Sequence, residues 1–429
     1  MSSAHFVTAF DDVAGRLPGA DLDWLNQARR DAIARFESLG FPTPRLEDWK
    51  YTNVRSIERG TFAPSIGDTT SDVSLEQLRI PAVDGSRVVF VNGGFAPSLS
   101  TIAETSGVSV IHAADDPSLI RNVLTGTPDT AFGALNRAFA SDGVVIKVQA
   151  DAAIARPIHV LFISSGESPI ASQYCSAVVC ERGAEAEIIE THVSTENSSS
   201  FTNHAMDMRV DDGATLTHSM IQCLSLSAYH VAKYDVTIGA DARFISNSAS
   251  LGARLARYDI DADFKSSGGH CELNGLYVAR GRQHVDYHTR IDHRMPNCTS
   301  DEIYKGILDG NGRGVFNGRV YVHPDAQKSD ASQANHNLLL SANAEIDTKP
   351  QLEIYADDVK ASHGTTVGQL DEEMMYYLRT RGLDLAHAEG LLTFGFAQEV
   401  INRMEHSGVR DFITDELNLS LPALATMRD

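Results

Sequence analysis

Three potential metal ligands alternate along the segment QHVDYHTRIDH, at His284, Asp286 and His288. In an extended strand, side chains two residues apart lie on the same face, so these three groups could converge. Imidazole nitrogen and carboxylate oxygen are common zinc ligands, although a fourth ligand would have to come from a neighbouring strand. A polar strand facing solvent gives the same alternation without a metal, so both interpretations stay open.

A second histidine, His363, lies between Ser362 and Gly364 in the segment YADDVKASHGTTVG. This position separates a predicted strand from the C-terminal helices, and we expect a loop that presents the imidazole to a partner or cofactor. A loop histidine without a specific role is the alternative. No cysteine follows residue 298, so any thiolate near His363 would come from elsewhere.

The cysteines favour a reducing environment. Their number is odd, no C-x-x-C pair occurs, and a chain of 429 residues needs no disulfides to hold its fold. We therefore expect reduced and mostly buried thiols at Cys175, Cys180, Cys223, Cys271 and Cys298.

Common catalytic and nucleotide-binding patterns are absent from the sequence. It contains no G-x-x-x-x-G-K-[ST], so we expect the chain to bind no nucleotide phosphate by itself. The patterns G-x-S-x-G and H-E-x-x-H are missing too, which leaves hydrolase and zinc-protease interpretations without support.

The composition of the chain limits the classes of protein to which it can belong. With 42% hydrophobic and 22% charged residues, the chain has the balance of a soluble globular protein, and no apolar run approaches the roughly 18 residues of a membrane span. A net charge of −21 argues against sequence-independent nucleic-acid binding. The N-terminus lacks a basic region and carries Asp11 and Asp12, which predicts a cytoplasmic protein without a secretory peptide.

Helical periodicity marks both ends of the chain. We predict a helix over 21–39 with Asp21 as its N-cap, a helix over 130–143, and C-terminal helices over 370–382 and 383–404. The segments 87–95 and 107–113 have strand-like patterns. The last helix has a wide apolar face, which could bind a partner or pack onto the open end of the central fold.

The centre of the chain, from 144 to 353, consists of short alternating runs separated by turn residues. A turn followed by an alternating strand recurs at 183, 213, 239, 268, 312 and 343, at intervals of 26 to 31 residues except for one of 44. Such a period fits the coils of a β-helix, which we expect to contain three strands of five to six residues each. The long interval predicts an insertion or extra coil around RMPNCTSDEIYKG. A β-sandwich with similar hairpin turns is the alternative.

Three segments resemble the SufB/SufD family of the Suf iron–sulfur cluster assembly system: PRLEDWKYTNV (44–54), the long block 326–383, and GFAQEVINRM (395–404). The likeness covers essentially the whole chain. It favours the SufD side of the family, because SufB typically has Glu after the histidine where this chain has Gly364.

The resemblance implies a mainly β fold, a right-handed parallel β-helix flanked by helical domains. The corresponding boundaries are an N-terminal helical region (1–84), a mixed lead-in (85–149), the β-helix (150–369) and a C-terminal helical domain (370–429).

The resemblance also implies that the chain is a non-enzymatic scaffold in complex with SufB and two copies of the ATPase SufC. As part of that complex, the chain would aid iron acquisition. His363 would help bind iron or a nascent, transient iron–sulfur cluster shared with SufB, while Leu391 and Phe394 would contact SufC. Many relatives have Cys where this chain has Ala361, so sulfur ligands would come from SufB. A homodimer of the isolated chain is the alternative assembly.

An enzyme is the competing class. Many parallel β-helices cleave polysaccharides with clustered acidic and basic residues, and Asp286, Arg290 and Asp292 could form such a group. The absence of a secretory peptide argues against this lyase or hydrolase interpretation.

Overall fold

The computed structural model describes residues 3–67, 73–103, 105–125, 130–166, 168–195 and 198–421. Eight helices in these ranges lie before and after the central strands: α1 (Ser3–Val13), α2 (Asp23–Leu39), α3 (Arg55–Arg59), α4 (Arg121–Thr125), α5 (Ala131–Phe139), α6 (Glu372–Thr380), α7 (Leu385–Ile401) and α8 (Ser407–Ser420). None of these described helices is long and apolar enough to cross a membrane.

The strands form two ten-stranded sheets, and we number them in chain order. Sheet A contains β1 (Ala63–Pro64), β4 (Val108–His112), β5 (Val144–Val148), β7 (Ile170–Cys180), β9 (Ser200–Val210), β11 (Tyr229–Ile238), β13 (Leu255–Phe264), β15 (His284–His293), β17 (Arg313–Val322) and β19 (Glu345–Ile354). Sheet B contains β2 (Ser86–Val91), β3 (Gly94–Phe95), β6 (Ile158–Ser164), β8 (Glu185–Ser194), β10 (Thr215–Cys223), β12 (Arg243–Ser250), β14 (His270–Ala279), β16 (Thr299–Leu308), β18 (Asp330–Leu339) and β20 (Lys360–Gly368).

From β5 onward the chain alternates between the sheets, and each strand pairs in parallel with the strand two positions later. This is a parallel β-solenoid of about seven turns, so the predicted β-helix is confirmed. The prediction of three strands per coil is wrong, because each coil contains one strand of about ten residues in each sheet. The recurrence length alone does not distinguish two long strands from three short ones.

The 44-residue interval has a simple cause. The turns at 183, 213, 239 and 268 precede strands of sheet B, whereas those at 312 and 343 precede β17 and β19 of sheet A. The interval therefore spans one coil and a half, and the segment RMPNCTSDEIYKG forms an ordinary turn and β16. The expected insertion or extra coil is absent from this described segment.

One column of turns explains the sequence pattern. Gly183, Gly213 and Gly268 all have positive φ, between 68° and 78°, the left-handed region that glycine enters without a steric penalty. Each N–H donates to a carbonyl in the next coil, as from Gly183 to Asp212 at 2.9 Å. The turns stack along one axis, so the β-sandwich alternative is wrong.

The helices cover the flanks of the solenoid rather than its last coil. At the N-terminal end, α5 packs against β7 and β9, and α2 packs against α5. At the C-terminal end, α7 contacts β14 and β16 on the outer face of sheet B, where Lys305 donates to the Phe396 carbonyl. The interpretation that α7 packs onto the open end is therefore wrong.

Helix α2 begins later than its sequence suggests. It starts at Asp23 with Leu22 at the N-cap position, and no side chain caps it. Residues 17–22 form a turn in which the Leu22 N–H donates to the Gly19 carbonyl. The assignment of Asp21 as N-cap is therefore wrong.

Candidate functional site

His363 lies in strand β20, so the prediction of a loop is wrong. It pairs in register with Gln333 of β18. Strand β20 is the last of sheet B, and no described strand pairs with its outer edge. Eight of its nine residues, including His363, are exposed, and only Ala361 is half-buried. The strand therefore leaves an uncovered edge of the kind that pairs with another chain. This edge runs along the whole strand.

The inner face of sheet B carries a polar column that ends at His363. Glu302 of β16 pairs in register with Gln333, which pairs with His363. Glu302 and Gln333 are buried, and the Gln333 amide donates to Glu302 at 2.7 Å. Since aligned residues of parallel strands share a face, the imidazole lies on the solenoid's inner face at its open end.

Glu302 can exchange a proton near neutral pH. Burial raises the pKa of its carboxyl to about 7, although the hydrogen bond from Gln333 acts in the opposite direction. Its Oε1 atom and the Oε1 atom of Gln333 have no hydrogen-bond partner among the described residues. The interior beneath His363 is therefore polar and only partly satisfied.

His363 has no converging set of ligands within its own described chain. Only Glu190, His192 and His204 form a group of three potential ligands within 4.8 Å in the described ranges. Those residues belong to β8 and β9, far from β20. A metal or cluster at His363 would need ligands from another molecule.

The cysteines do not supply those ligands. Cys175, Cys180, Cys271 and Cys298 are buried, and Cys223 is partly buried. Burial raises the pKa of the Cys175 and Cys180 thiols to about 12. These two side chains are therefore neutral thiols at cellular pH.

The residues of the predicted HxDxH metal site instead bind the N-terminal segment. Asp286 accepts hydrogen bonds from Arg257 at 2.8 Å and from Thr52 at 2.5 Å. Thr52 also contacts His284 at 2.8 Å, while His288 lies 3.1 Å from Asp286. The guanidinium occupies the position next to the carboxylate that a cation would need, which favours a structural role.

The residues considered for polysaccharide cleavage do not form an open catalytic group. Asp286 is fully buried beneath the N-terminal segment, whereas Arg290 and Asp292 form an ion pair of 2.9 Å further along β15. The geometry gives this alternative no support.

The two residues predicted to contact SufC differ in exposure. Leu391 is 39% exposed, whereas Phe394 is half-buried and packs against the apolar cluster between α7 and sheet B. Helix α6 buries none of its residues, and Tyr376 and Tyr377 are 72% and 56% exposed. We define the α6–α7 surface as the exposed apolar side chains of Met374, Tyr376, Tyr377, Leu385 and Leu391.

The buried contact between Glu302 and Gln333 was not predicted from the sequence. Glu302 and Gln333 are 31 residues apart, and their contact depends on the register of β16 and β18. Their positions on the inward face of alternating strands were the available signal, because inward positions are otherwise mostly apolar or small.

Comparison with known proteins agrees with this architecture. The family described as "SUF system FeS cluster assembly, SufBD core domain" matches residues 162–396, and "SufBD protein N-terminal region" matches residues 1–160.

Three relatives extend the comparison along most of the chain. The "Iron-sulfur cluster assembly protein SufD" of Escherichia coli is 32% identical, with 89% of this chain and 90% of the relative covered. An "Iron-sulfur cluster assembly SufBD family protein" of Synechocystis is 31% identical, with 90% and 89% covered. The SufD protein of Bacillus subtilis is 24% identical, with 90% and 92% covered. The chain therefore belongs to the SufB/SufD family of iron–sulfur cluster assembly proteins, within which it resembles SufD.

Proposed function

We propose that this chain is a non-enzymatic, cytoplasmic scaffold subunit that pairs with SufB and the ATPase SufC. In this role it helps to acquire iron and to build and transfer nascent iron–sulfur clusters. The cluster is cargo, held transiently between this chain and SufB. His363 contributes one imidazole to it.

The observation that carries the proposal is the position of His363 on an uncovered edge. Imidazole is a suitable iron ligand, but within the described residues His363 belongs to no group of three potential ligands. A partner strand added along β20 would supply a second set of side chains beside His363. This arrangement supports a site completed by SufB.

Exposed apolar side chains near the same end also support a partner. Ile354 is the last residue of β19, Tyr355 follows it, and Val367 lies in β20; they are 40%, 55% and 50% exposed. Burial of such side chains is a principal source of association free energy. A second copy of this chain is the alternative partner for the same edge.

The α6–α7 surface supports a separate contact with SufC. It lies on helices outside the solenoid, and the sequence has no phosphate-binding loop of its own. A partner ATPase would supply nucleotide hydrolysis. Because Phe394 packs partly within this chain, Leu391 is the better of the two predicted contacts for a binding test.

The test is a comparison of iron and acid-labile sulfide in tag-purified complexes with SufB and SufC. We expect His363→Ala to retain both partners but to lose most of the bound iron and sulfide. His336→Ala is the matched control, because His336 lies one strand inward on β18 and bonds to Thr366. Equal cluster content in wild type and His363→Ala would contradict a ligand role for His363.

A further inference from the structure

A second group of potential ligands is sealed inside the solenoid. Glu190 and His192 lie on β8, His204 on β9 and His218 on β10. Glu190, His192 and His204 are fully buried, and His218 is 2% exposed. The group joins both sheets and two successive coils.

The contacts converge on one carboxylate. Glu190 Oε1 lies 2.5 Å from His192 Nε2 and 2.9 Å from His204 Nδ1, while Glu190 Oε2 lies 2.9 Å from His218 Nε2. Four ligand atoms around a zinc ion lie about 3.3 Å apart, given bonds of roughly 2.0–2.2 Å. The ligand atoms of Glu190, His192 and His204 lie within 4.8 Å of one another. His218 contacts the other oxygen of Glu190 and would have to move towards them to complete a four-ligand site.

Charge balance favours a cation at this position. None of the hydrogen bonds and ion pairs of Glu190 within the described structure involves Lys or Arg. Its other contact is the Tyr234 hydroxyl, which donates at 2.9 Å. A fully buried carboxylate without a countercharge is costly, so a cation is needed beside Glu190, and a metal ion held by the three imidazoles would supply it.

We propose that Glu190, His192, His204 and His218 bind one divalent transition-metal ion, with Zn²⁺ as the expected occupant. Three imidazoles and one carboxylate form a four-ligand set of the kind that suits zinc. The second ring nitrogen of His204 lies 2.9 Å from Ser176 Oγ, a contact that fixes the orientation of a metal-bound imidazole.

This site is separate from the one at His363. It lies on β8, β9 and β10, whereas His363 lies on β20 at the open end. All four protein ligands are buried and leave no open coordination position, which indicates a structural ion that links the two sheets. Because the group is enclosed, we expect the ion to enter as the coils close during folding.

The test measures metal in the full-length, tag-free protein after dialysis against a chelator. We expect about one equivalent of zinc per chain in wild type. Glu190→Gln keeps the side-chain shape but removes the charge, so it should lose most of the ion. The control is His159→Gln, because His159 is a buried histidine of neighbouring β6 that bonds to Thr191 outside the group.

A second measurement does not depend on the folding of a variant. Wild-type protein refolded with Co²⁺ should show the visible absorption of a four-coordinate cobalt site, and protein refolded with Zn²⁺ should unfold at a higher temperature than protein refolded with a chelator. Substoichiometric metal in wild type after refolding with Zn²⁺, or undiminished metal in folded Glu190→Gln, would overturn the proposal.

Discussion

The Arg257 guanidinium lies over the indole ring of Trp49, 3.8 Å from the ring centroid. Arg257 belongs to β13 and Trp49 to the N-terminal segment PRLEDWKYTNV. Arg257 also donates to the Asp48 carbonyl at 2.7 Å and to Asp286 at 2.8 Å. The segment that carries part of the family resemblance is thereby fixed to the outer face of sheet A.

Replacement of Arg257 tests this attachment. Burial raises the pKa of Asp286, but the Arg257 guanidinium and the neighbouring His288 lower it by more, so the pKa lies well below its ordinary value. In Arg257→Met the buried carboxylate loses its countercharge, and we expect the free energy of unfolding to fall by about 3–5 kcal/mol. Urea denaturation measures this change.

The matched control is Arg290→Met, which removes a partly exposed ion pair with Asp292. We expect a loss of about 0–1 kcal/mol there. The double variant Arg257→Met/Asp286→Leu should recover part of the stability, because the fully buried Asp286 charge is gone and only the partly exposed Asp259 has lost its contact with Arg257. Equal losses in Arg257→Met and Arg290→Met would contradict the argument.

Because Glu302 is buried, we expect the difference in stability between wild type and Glu302→Gln to depend on pH. Its pKa is raised to about 7 in the folded protein by burial, so the protonated carboxyl stabilises the fold fully below pH 4.5. This contribution is lost as the pH rises through 7. Relative to wild type, Glu302→Gln should therefore gain roughly 2–3 kcal/mol in unfolding free energy between pH 5 and pH 8. Parallel stability curves for the two proteins would show that Glu302 titrates normally.

If SufC binds the α6–α7 surface, a charged side chain placed there should weaken its binding. Leu391→Asp and Tyr377→Asp each place a charge on an exposed apolar side chain, where burial at an interface would be costly. We expect either variant to weaken co-purification of SufC at least tenfold without a change in melting temperature. Leu419→Asp, on the exposed face of α8, is the control. Unchanged retention of SufC by both variants would place its contact elsewhere.

The sequence predicted the β-helix because its turn residues recur once per coil, as at Gly183 and Gly213. The strand β20 was not predicted, because its sequence KASHGTTVG has little alternation of apolar and polar residues. This segment is extended because it forms hydrogen bonds with β18. The Glu190 group was missed for a related reason. Its members extend from residue 190 to residue 218 and meet only because β8 pairs with β10 in sheet B while β9 faces them from sheet A.

The uncovered edge of β20 offers backbone N–H groups to a partner strand. The N–H groups of a strand point alternately to its two neighbours in the sheet. The Lys360 N–H points towards β18, because it donates to the carbonyl of Ser329, the residue before that strand. The N–H groups of His363 and Thr365 therefore point to the open edge. Thr365→Pro removes one outward donor and leaves the ladder with β18 intact, since proline is tolerated on edge strands.

We expect Thr365→Pro to weaken binding to SufB, or to a second copy of this chain, at least tenfold in analytical ultracentrifugation. Its melting temperature should stay close to that of wild type, because the lost N–H has no partner strand within the described chain. Thr365→Val is the matched control: it keeps the backbone N–H and nearly the same side-chain shape, so it should bind normally. Wild-type affinity in Thr365→Pro would show that the partner does not extend sheet B along β20, and the ligands that complete the His363 site would then have to approach from the open end of the solenoid instead.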